Sequence, residues 1–134
     1  MKYNFKIITL CGSTKFKDEF MAVQKRLTLE GVIVLSVGVF GHSDNEVWSE
    51  DMKIMLDKMH KVKIDMADEI FVVNVGGYIG SSTRGEIDHA IQTGKSVKYL
   101  VCPDCGDTGR CEPRTLSDPD GQECKCPNKY YKPV

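Results

Sequence analysis

The stretch "EIFVVNV" (69–75), followed by "GGYIGSSTRGEIDHA" (76–90), decides the fold of this chain. Its first segment is a nearly unbroken apolar run rich in β-branched residues, which is typical of a strand buried on both faces of a parallel sheet. A turn rich in glycine and hydroxyl groups follows, and the spacing then predicts a helix over 84–93 that Gly94 ends. A strand, a polar turn and a helix in this order indicate one βα unit.

The same unit repeats on both sides of this stretch. Further strands are predicted at 6–10 ("KIITL"), 32–37 ("VIVLSV") and 96–101 ("SVKYLV"). The run 32–37 is almost continuously apolar, as in a strand buried on both faces. One helix should follow the turn "CGSTKF" (11–16) and end at Gly31, and another should run from a Ser49 cap to Asp65 after a long loop. The positions that these two helices should bury are Phe16, Phe20, Val23 and Leu27, and then Met52, Met55, Leu56 and Met59.

We therefore predict a small doubly wound α/β domain over residues 1–101. Its parallel sheet should have four or five strands, as in flavodoxin-like or Rossmann-like folds, with helices on both faces. Ligands of such sheets bind at the carboxyl ends of the strands. Three loops rich in glycine, hydroxyl groups and charge meet at that edge, namely 11–15, 38–48 and 76–86. The functional site is expected there.

The composition is that of an ordinary globular protein, with 41% apolar and 28% charged residues. A net charge of -1 gives no general attraction to nucleic acid or to an anionic membrane. The first residues, "MKYNFKIITL", become polar too soon for a signal peptide, and no apolar run is long enough to span a bilayer. We expect a cytoplasmic protein whose anion sites are local.

Five of the six cysteines lie in residues 102–134, a segment of proline, glycine and charge that cannot bury a core of its own. We predict a separate tail there. Since no export signal accompanies these cysteines, metal binding is a better interpretation than disulfides. Four thiolates would hold a closed, structural zinc ion. The predicted ligands are Cys102, Cys105, Cys124 and Cys126, with Cys111 as a substitute; the alternative is a reduced, flexible tail.

Two strand-to-helix turns suit a phosphate group. Each places backbone N–H groups at the start of a helix, where the helix dipole favours an anion. The first turn is not a Walker motif, which needs a longer loop before its lysine, and simple capping with a solvated lysine is the alternative there. The residues proposed to bind substrate in these turns are Gly12, Ser13, Thr14 and Lys15, and Ser81, Ser82, Thr83 and Arg84.

Glu86 has two interpretations. It lies three residues after Thr83, which is the spacing of a capping box, so its side chain could reach back to the Thr83 N–H. Aimed instead into the crevice at the sheet edge, the ionised carboxylate could attack a sugar carbon. Spacing alone favours the capping box.

Three segments together carry a family resemblance: "ITLCGSTKF" (8–16), "KIDMADEIFVVNV" (63–75) and "GSSTRGEIDHAIQTGKSV" (80–97). They resemble the nucleoside 2-deoxyribosyltransferase superfamily, which includes base-exchanging transferases and nucleoside 5'-monophosphate N-glycosidases. The resemblance covers roughly the first 100 residues. It implies that Glu86 is a nucleophile that forms a covalent ribosyl-enzyme intermediate, and that the two turns hold a 5'-phosphate. It also implies a homodimer or a larger homo-oligomer, with no organic cofactor.

The chain departs from the family pattern at three positions. His60 stands where the family commonly has an aspartate, Thr9 replaces a frequent tyrosine, and Gly80 replaces the acidic residue of the base-exchanging enzymes. These departures favour hydrolysis of a nucleotide over base exchange. His60 is a candidate to protonate the leaving base, because imidazole titrates near neutral pH, although a helix-end histidine is more often a cap or a surface residue.

A second function class stays open, namely a nucleotide-binding module without catalysis whose zinc-bearing tail docks a partner. The same phosphate turns would serve it, with Glu86 as a capping residue. In the long loop, His42, Phe40 and Trp48 could stack on a base in either case. Contact of the tail with nucleic acid is not favoured, since its basic residues are offset by acids and form no stripe.

Overall fold

The computed structural model describes residues 4–101, together with the short strands at 110–111 and 122–123. Six strands, three α-helices and one short 3-10 turn make up these residues. In chain order they are β1 (Ile7–Cys11), α1 (Lys17–Leu29), β2 (Ile33–Leu35), α2 (Glu50–Met66), β3 (Glu69–Val72), a 3-10 turn (Val75–Gly77), α3 (Ser81–Gln92), β4 (Ser96–Tyr99), β5 (Arg110–Cys111) and β6 (Gln122–Glu123).

The main sheet has four parallel strands in the order β2-β1-β3-β4. β1 is central, and its Thr9 lies opposite Leu35 on one side and Ile70 on the other. This order, with helices between successive strands, confirms the predicted doubly wound α/β fold. β5 and β6 form a separate antiparallel pair, in which Cys111 lies opposite Gln122.

Each face of the sheet has its own apolar core, because successive side chains of a strand point to opposite faces. On the first face, strand residues such as Leu10 and Phe71 pack against α1 through Phe20, Val23 and Leu27. On the second face, Cys11, Ile70 and Val72 pack against α2 and α3 through Ile64, Ile87 and Ala90. The end of β1 and two helices of the second face thus converge at the carboxyl edge.

Two predictions about burial were wrong. The segment 32–37 forms only the short strand β2 at the edge of the sheet, where Ile33 is 46% exposed. The face of helix α2 that packs on the sheet contains His60 and Ile64. A second row of apolar residues lies on the opposite face of the helix. Met52, Met55 and Met59 therefore lie on the outer face and are 38–43% exposed, and Leu56 is only half-buried.

Helix α3 begins three residues earlier than predicted. Gly80 is its extended N-cap, and the Arg84 N–H donates to the Gly80 carbonyl. Thr83, Ile87 and Ala90 share one buried face at helical spacing, which places Thr83 inside the helix rather than at its cap. The Ser49 cap of α2 is confirmed, since its hydroxyl accepts a hydrogen bond from the Met52 N–H at 3.2 Å.

Across residues 4–101, no helix combines the length and the apolar character that a membrane span requires.

Candidate active site

One pocket of about 590 Å³ lies at the carboxyl edge of the sheet. It is bounded by the turn after β1, the loop 37–48, the inner face of α2 and the start of α3. These are the loops that the sequence predicted to meet there. The predicted site residues that line the pocket are Gly12, Ser13, Thr14, His42, His60, Ser81, Ser82, Thr83 and Glu86.

The turn after β1 brings the backbone close to the end of β3. Gly12 adopts φ +147°, and a Cβ atom at this position would lie 2.8 Å from the Val73 carbonyl oxygen. Only glycine fits such a position without strain. The next residues are tied in place, because the Phe16 N–H donates to the Ser13 carbonyl and the His42 N–H donates to the Thr14 hydroxyl at 3.3 Å. The turn is thus a fixed wall of the pocket.

The N-terminus of α3 is the better of the two predicted phosphate sites. Its cap, Gly80, offers no side chain, so the first N–H groups of the helix lack a capping partner and border the pocket. The first turn of α3 contains no acidic residue. By contrast, the first turn of α1 carries Asp18 and Glu19, which would repel an anion there.

The two predicted cationic side chains lie outside the pocket lining. The Lys15 ammonium group stacks 3.7 Å from the centre of the Tyr78 ring, a cation–π contact, and Arg84 is exposed on α3. Lys53 of α2 lines the pocket instead. A phosphate group in this pocket would therefore meet backbone N–H groups and hydroxyls, with Lys53 as a cation of the lining.

Glu86 is not part of a capping box. It lies in the second turn of α3, its side chain is 17% exposed, and it lines the pocket. Its Oε2 atom is 3.7 Å from Nε2 of His60, and the Cys11 sulfur is 3.5 Å from the same nitrogen. Within the part of the chain that the structure describes, Oε2 is buried and accepts no hydrogen bond. The capping interpretation is thus wrong, and the carboxyl group belongs to the pocket.

Burial perturbs all three groups of this cluster. Desolvation raises the pKa of Glu86 to about 7, with Asp57 adding to the rise while the Cys11 thiol and Lys61 oppose it. Desolvation and the charge of Lys63 lower the pKa of His60 to about 4, against a hydrogen bond with the Leu10 backbone. Burial also raises the pKa of Cys11, helped by the negative charge of Glu86. Burial therefore favours the neutral form of both side chains, the protonated carboxyl group of Glu86 and the uncharged imidazole of His60.

The donor atoms of Cys11, His60 and Glu86 lie within 4.8 Å of one another. Such a set could also accommodate a soft divalent cation. The predicted zinc ligands Cys102, Cys105, Cys124 and Cys126 lie outside the described residues, and Cys111 is described only as part of β5. The zinc site of the tail stays a prediction.

Sequence reasoning missed several polar residues of the pocket region, among them Cys11, Lys53 and Asp57. Cys11 ends β1 at the carboxyl edge, so its position in the fold was a usable signal. Lys53 and Asp57 share the inner face of α2 with His60 at helical spacing. The predicted stripe of methionines directed attention to the wrong face of that helix.

Comparison of the chain with models of protein families and with curated proteins gives no match.

Proposed function

We propose that this protein is an N-glycosidase that cleaves the bond between base and sugar in a nucleoside 5'-monophosphate, with Glu86 as a carboxylate nucleophile. The observation that supports it most is the position of Glu86. Its carboxyl group lines a pocket next to an uncapped helix N-terminus and takes no part in capping the helix. The family resemblance of the sequence points to the same reaction.

The pocket offers a binding scheme for such a substrate. A 5'-phosphate at the start of α3 would accept hydrogen bonds from the first N–H groups of the helix and from the hydroxyls of Ser81 and Ser82. Glu86 lies farther along the same helix, so a phosphate bound there would bring the sugar toward its carboxylate. Binding energy from this remote group would then contribute to the rate of cleavage at the anomeric carbon.

In the first step, the Glu86 carboxylate attacks the anomeric carbon, a C–O bond forms, and the base leaves with the electrons of the C–N bond and takes up a proton. In the second step, water attacks the same carbon and returns the carboxylate. The products are the free base and the sugar 5-phosphate. A second nucleotide base in place of water would give base exchange. That reaction is disfavoured because Gly80 stands where the base-exchanging enzymes carry an acidic residue.

The separation of His60 and Glu86 bears on the role of His60. Retaining glycosidases keep their nucleophile and acid about 5–5.5 Å apart, because the two act on opposite sides of the scissile bond. The 3.7 Å between Nε2 and Oε2 is shorter. His60 is thus better placed to position the carboxyl group of Glu86 than to protonate the leaving base as the sequence suggested, and with its pKa of about 4 it stays neutral beside the nucleophile. The base itself would lie toward His42 and Trp48, which line another wall of the pocket.

The alternative function is nucleotide binding without catalysis, which the same N-terminus of α3 would support. A panel of ribo- and deoxyribonucleoside 5'-monophosphates, analysed for free base by chromatography, separates the two. We expect base release from at least one nucleotide, its loss in Glu86→Gln, and its retention in Asp88→Asn, a matched change at an exposed carboxylate of the same helix. Saturable binding with no base release from any nucleotide would instead establish the binding module.

A further inference from the structure

Three side chains of the kind that bind metal ions meet at the floor of the pocket. They are the thiol of Cys11, the imidazole of His60 and the carboxyl group of Glu86, whose donor atoms all lie within 4.8 Å of one another. Each comes from a different element, namely the end of β1, the inner face of α2 and the second turn of α3. The packing of the sheet against two helices therefore brings a sulfur, a nitrogen and an oxygen donor to one point.

The distances between these donor atoms are close to those of a zinc site. Zinc binds sulfur at about 2.3 Å and nitrogen or oxygen at about 2.0–2.2 Å, so two ligand atoms of a tetrahedral site lie about 3.3–3.6 Å apart. The Cys11 sulfur is 3.5 Å from Nε2 of His60, which matches this range. The 3.7 Å between Nε2 and Oε2 of Glu86 is slightly longer, and rotation of the carboxyl group would shorten it. One ion can therefore contact all three atoms after small side-chain movements.

The carboxylate oxygen that faces the cluster has no hydrogen-bond partner. Glu86 Oε2 is buried, and none of the described residues donates a hydrogen bond to it. Buried acceptors in proteins are almost always satisfied, so an orphan of this kind calls for a water molecule or an ion. A cation bonded to Oε2 would satisfy it. This observation is independent of the distances and itself points to a ligand.

The ligand set suits a buried divalent cation in two further respects. A hydrogen bond with the Leu10 backbone holds the His60 ring, as is usual for an imidazole that binds a metal. A thiolate and a carboxylate together carry two negative charges. A bound dication therefore forms a site without net charge, and burial costs such a site far less than it costs an unpaired ion.

The charges around the cluster indicate how firmly an ion would be held. Four charged side chains of α2 line the pocket or act on the cluster, namely Lys53, Asp57, Lys61 and Lys63. Three of them are exposed, so water and salt screen their charges. The fourth, Lys63, is half-buried, and its ammonium group donates to the Ser36 carbonyl at 2.7 Å. Three lysines against one acid weaken the binding of a cation, so the ion should exchange readily with solution.

We propose that Cys11, His60 and Glu86 bind a zinc ion whose fourth position is open to the pocket. The thiol proton passes to solvent as the ion binds, because thiolate is the form that coordinates zinc. Three protein ligands with one open position differ from a closed structural site of four cysteines, such as the one predicted for the tail. The two sites are separate, and only the pocket site involves Glu86.

Zinc in the pocket excludes the reaction proposed for it. While the ion is bound, the Glu86 carboxylate donates its electron pair to the metal, so it cannot attack the anomeric carbon. Metal binding and base release are therefore alternatives at one carboxyl group. This consequence, unlike the metal site itself, rests on the proposed glycosidase function.

Titration of the full-length protein tests the site directly. The protein is dialysed into metal-free buffer with a phosphine reductant and titrated with Zn²⁺ in a calorimeter, then separately with Co²⁺, whose absorption reports a bond to thiolate. We expect the wild type to bind one more ion per chain than Cys11→Ser, His60→Gln or Glu86→Gln. Each of these changes should weaken the site roughly 100-fold or more. Since the tail is the same in all four proteins, the difference reports the pocket alone.

Three variants outside the cluster serve as matched controls. His89→Gln removes a histidine of α3 that pairs with Asp65 instead, and Asp88→Asn changes an exposed carboxylate of the same helix. Cys102→Ser changes only the predicted tail site. All three should keep the pocket ion, and circular dichroism confirms that each variant is folded. A wild type that binds no more ions than the pocket variants, or loss of the pocket ion in His89→Gln or Asp88→Asn, would overturn the proposal.

Base release tests the consequence for catalysis. At a Zn²⁺ concentration about ten times its Kd, base release by the wild type should fall about tenfold and return when a chelator is added. Unchanged base release with zinc bound at the three residues would overturn the exclusion. A metal-free wild type that releases no base from any nucleotide would contradict the proposed glycosidase, while the titrations still decide whether the metal site exists.

Discussion

Glu86→Gln should stabilise the protein at alkaline pH while removing its activity. The pKa of Glu86 is about 7 in the folded chain against an ordinary value of 4.5. Because the folded state holds the proton more tightly than the unfolded chain, the contribution of Glu86 to stability is lost as the pH rises from about 4.5 to about 7. At about 1.4 kcal/mol per pH unit, ionisation of the buried carboxyl group costs about 3 kcal/mol at pH 8. A neutral amide avoids this cost.

His60 titrates in the opposite sense. Its pKa is about 4 in the folded chain against 6.5, so the unfolded chain binds the extra proton and stability rises with pH between these values. In the wild type the two trends oppose each other between about pH 4.5 and pH 6.5. The Glu86→Gln variant retains only the increase of stability with pH that His60 causes. Its stability relative to the wild type should therefore grow from near zero at pH 4.5 to about 2–3 kcal/mol at pH 8.

Urea denaturation at half-unit pH steps, followed by far-UV circular dichroism and by the fluorescence of Trp48, the single tryptophan, measures this difference. Asp88→Asn serves as the control, since Asp88 is exposed on the same helix and should give a difference that is small at every pH. A stability difference between Glu86→Gln and the wild type that does not change with pH, or a variant destabilised throughout, would refute the claim that burial holds the proton on Glu86.

Three further outcomes are expected, two from the geometry of the described residues and one from the cysteine pattern of the sequence. The kcat/KM for base release should rise with pH to a plateau above an apparent pKa of about 7, because the nucleophile must be ionised; a profile flat from pH 5 to pH 9 would contradict this. Gly12→Ala should cost about 1–3 kcal/mol in denaturation experiments, since its φ is positive and its Cβ would meet a backbone oxygen. Its control, Gly85→Ala, adds a methyl group in open space on α3 and should stabilise by about 0.5–1 kcal/mol. Purified protein should contain about one zinc ion per chain by elemental analysis. The Cys102→Ser variant should lose this zinc and the Cys11→Ser variant should keep it. Zinc lost in Cys11→Ser and kept in Cys102→Ser would instead indicate that the pocket binds the metal.

Much of the architecture followed from local patterns. The apolar run that contains β3 (Glu69–Val72) is short and rich in β-branched residues, which favoured a buried strand, and the Ser49 cap predicted the start of α2. The edge position of β2 could not be predicted, because a short run such as 32–37 has the same composition whether one or both faces are covered. Burial at an edge is decided by the order of strands, which is a property of the whole sheet.

The candidate site was only partly accessible to sequence reasoning. Glu86 could be singled out, but its capping role depended on where α3 begins, and the burial of Thr83 decided that point. The contact of Lys15 with the Tyr78 ring joins two loops that are distant in sequence, so spacing could not reveal it. For the same reason the proximity of Cys11 to His60 became visible only when β1 and α2 were packed together.

The most direct test of the central claim is to trap the covalent intermediate on Glu86. A nucleotide carrying fluorine at the sugar 2' position slows both steps, because fluorine destabilises the positive charge that develops on the sugar. Trypsin should release the peptide 85–95, "GEIDHAIQTGK", in which Glu86 and Asp88 are the side-chain carboxyl groups. We expect this peptide to gain the mass of the fluorinated sugar phosphate on Glu86, and the peptide of Glu86→Gln to gain none. Base release from the wild type with an unmodified peptide, or an adduct that survives in Glu86→Gln, would contradict it.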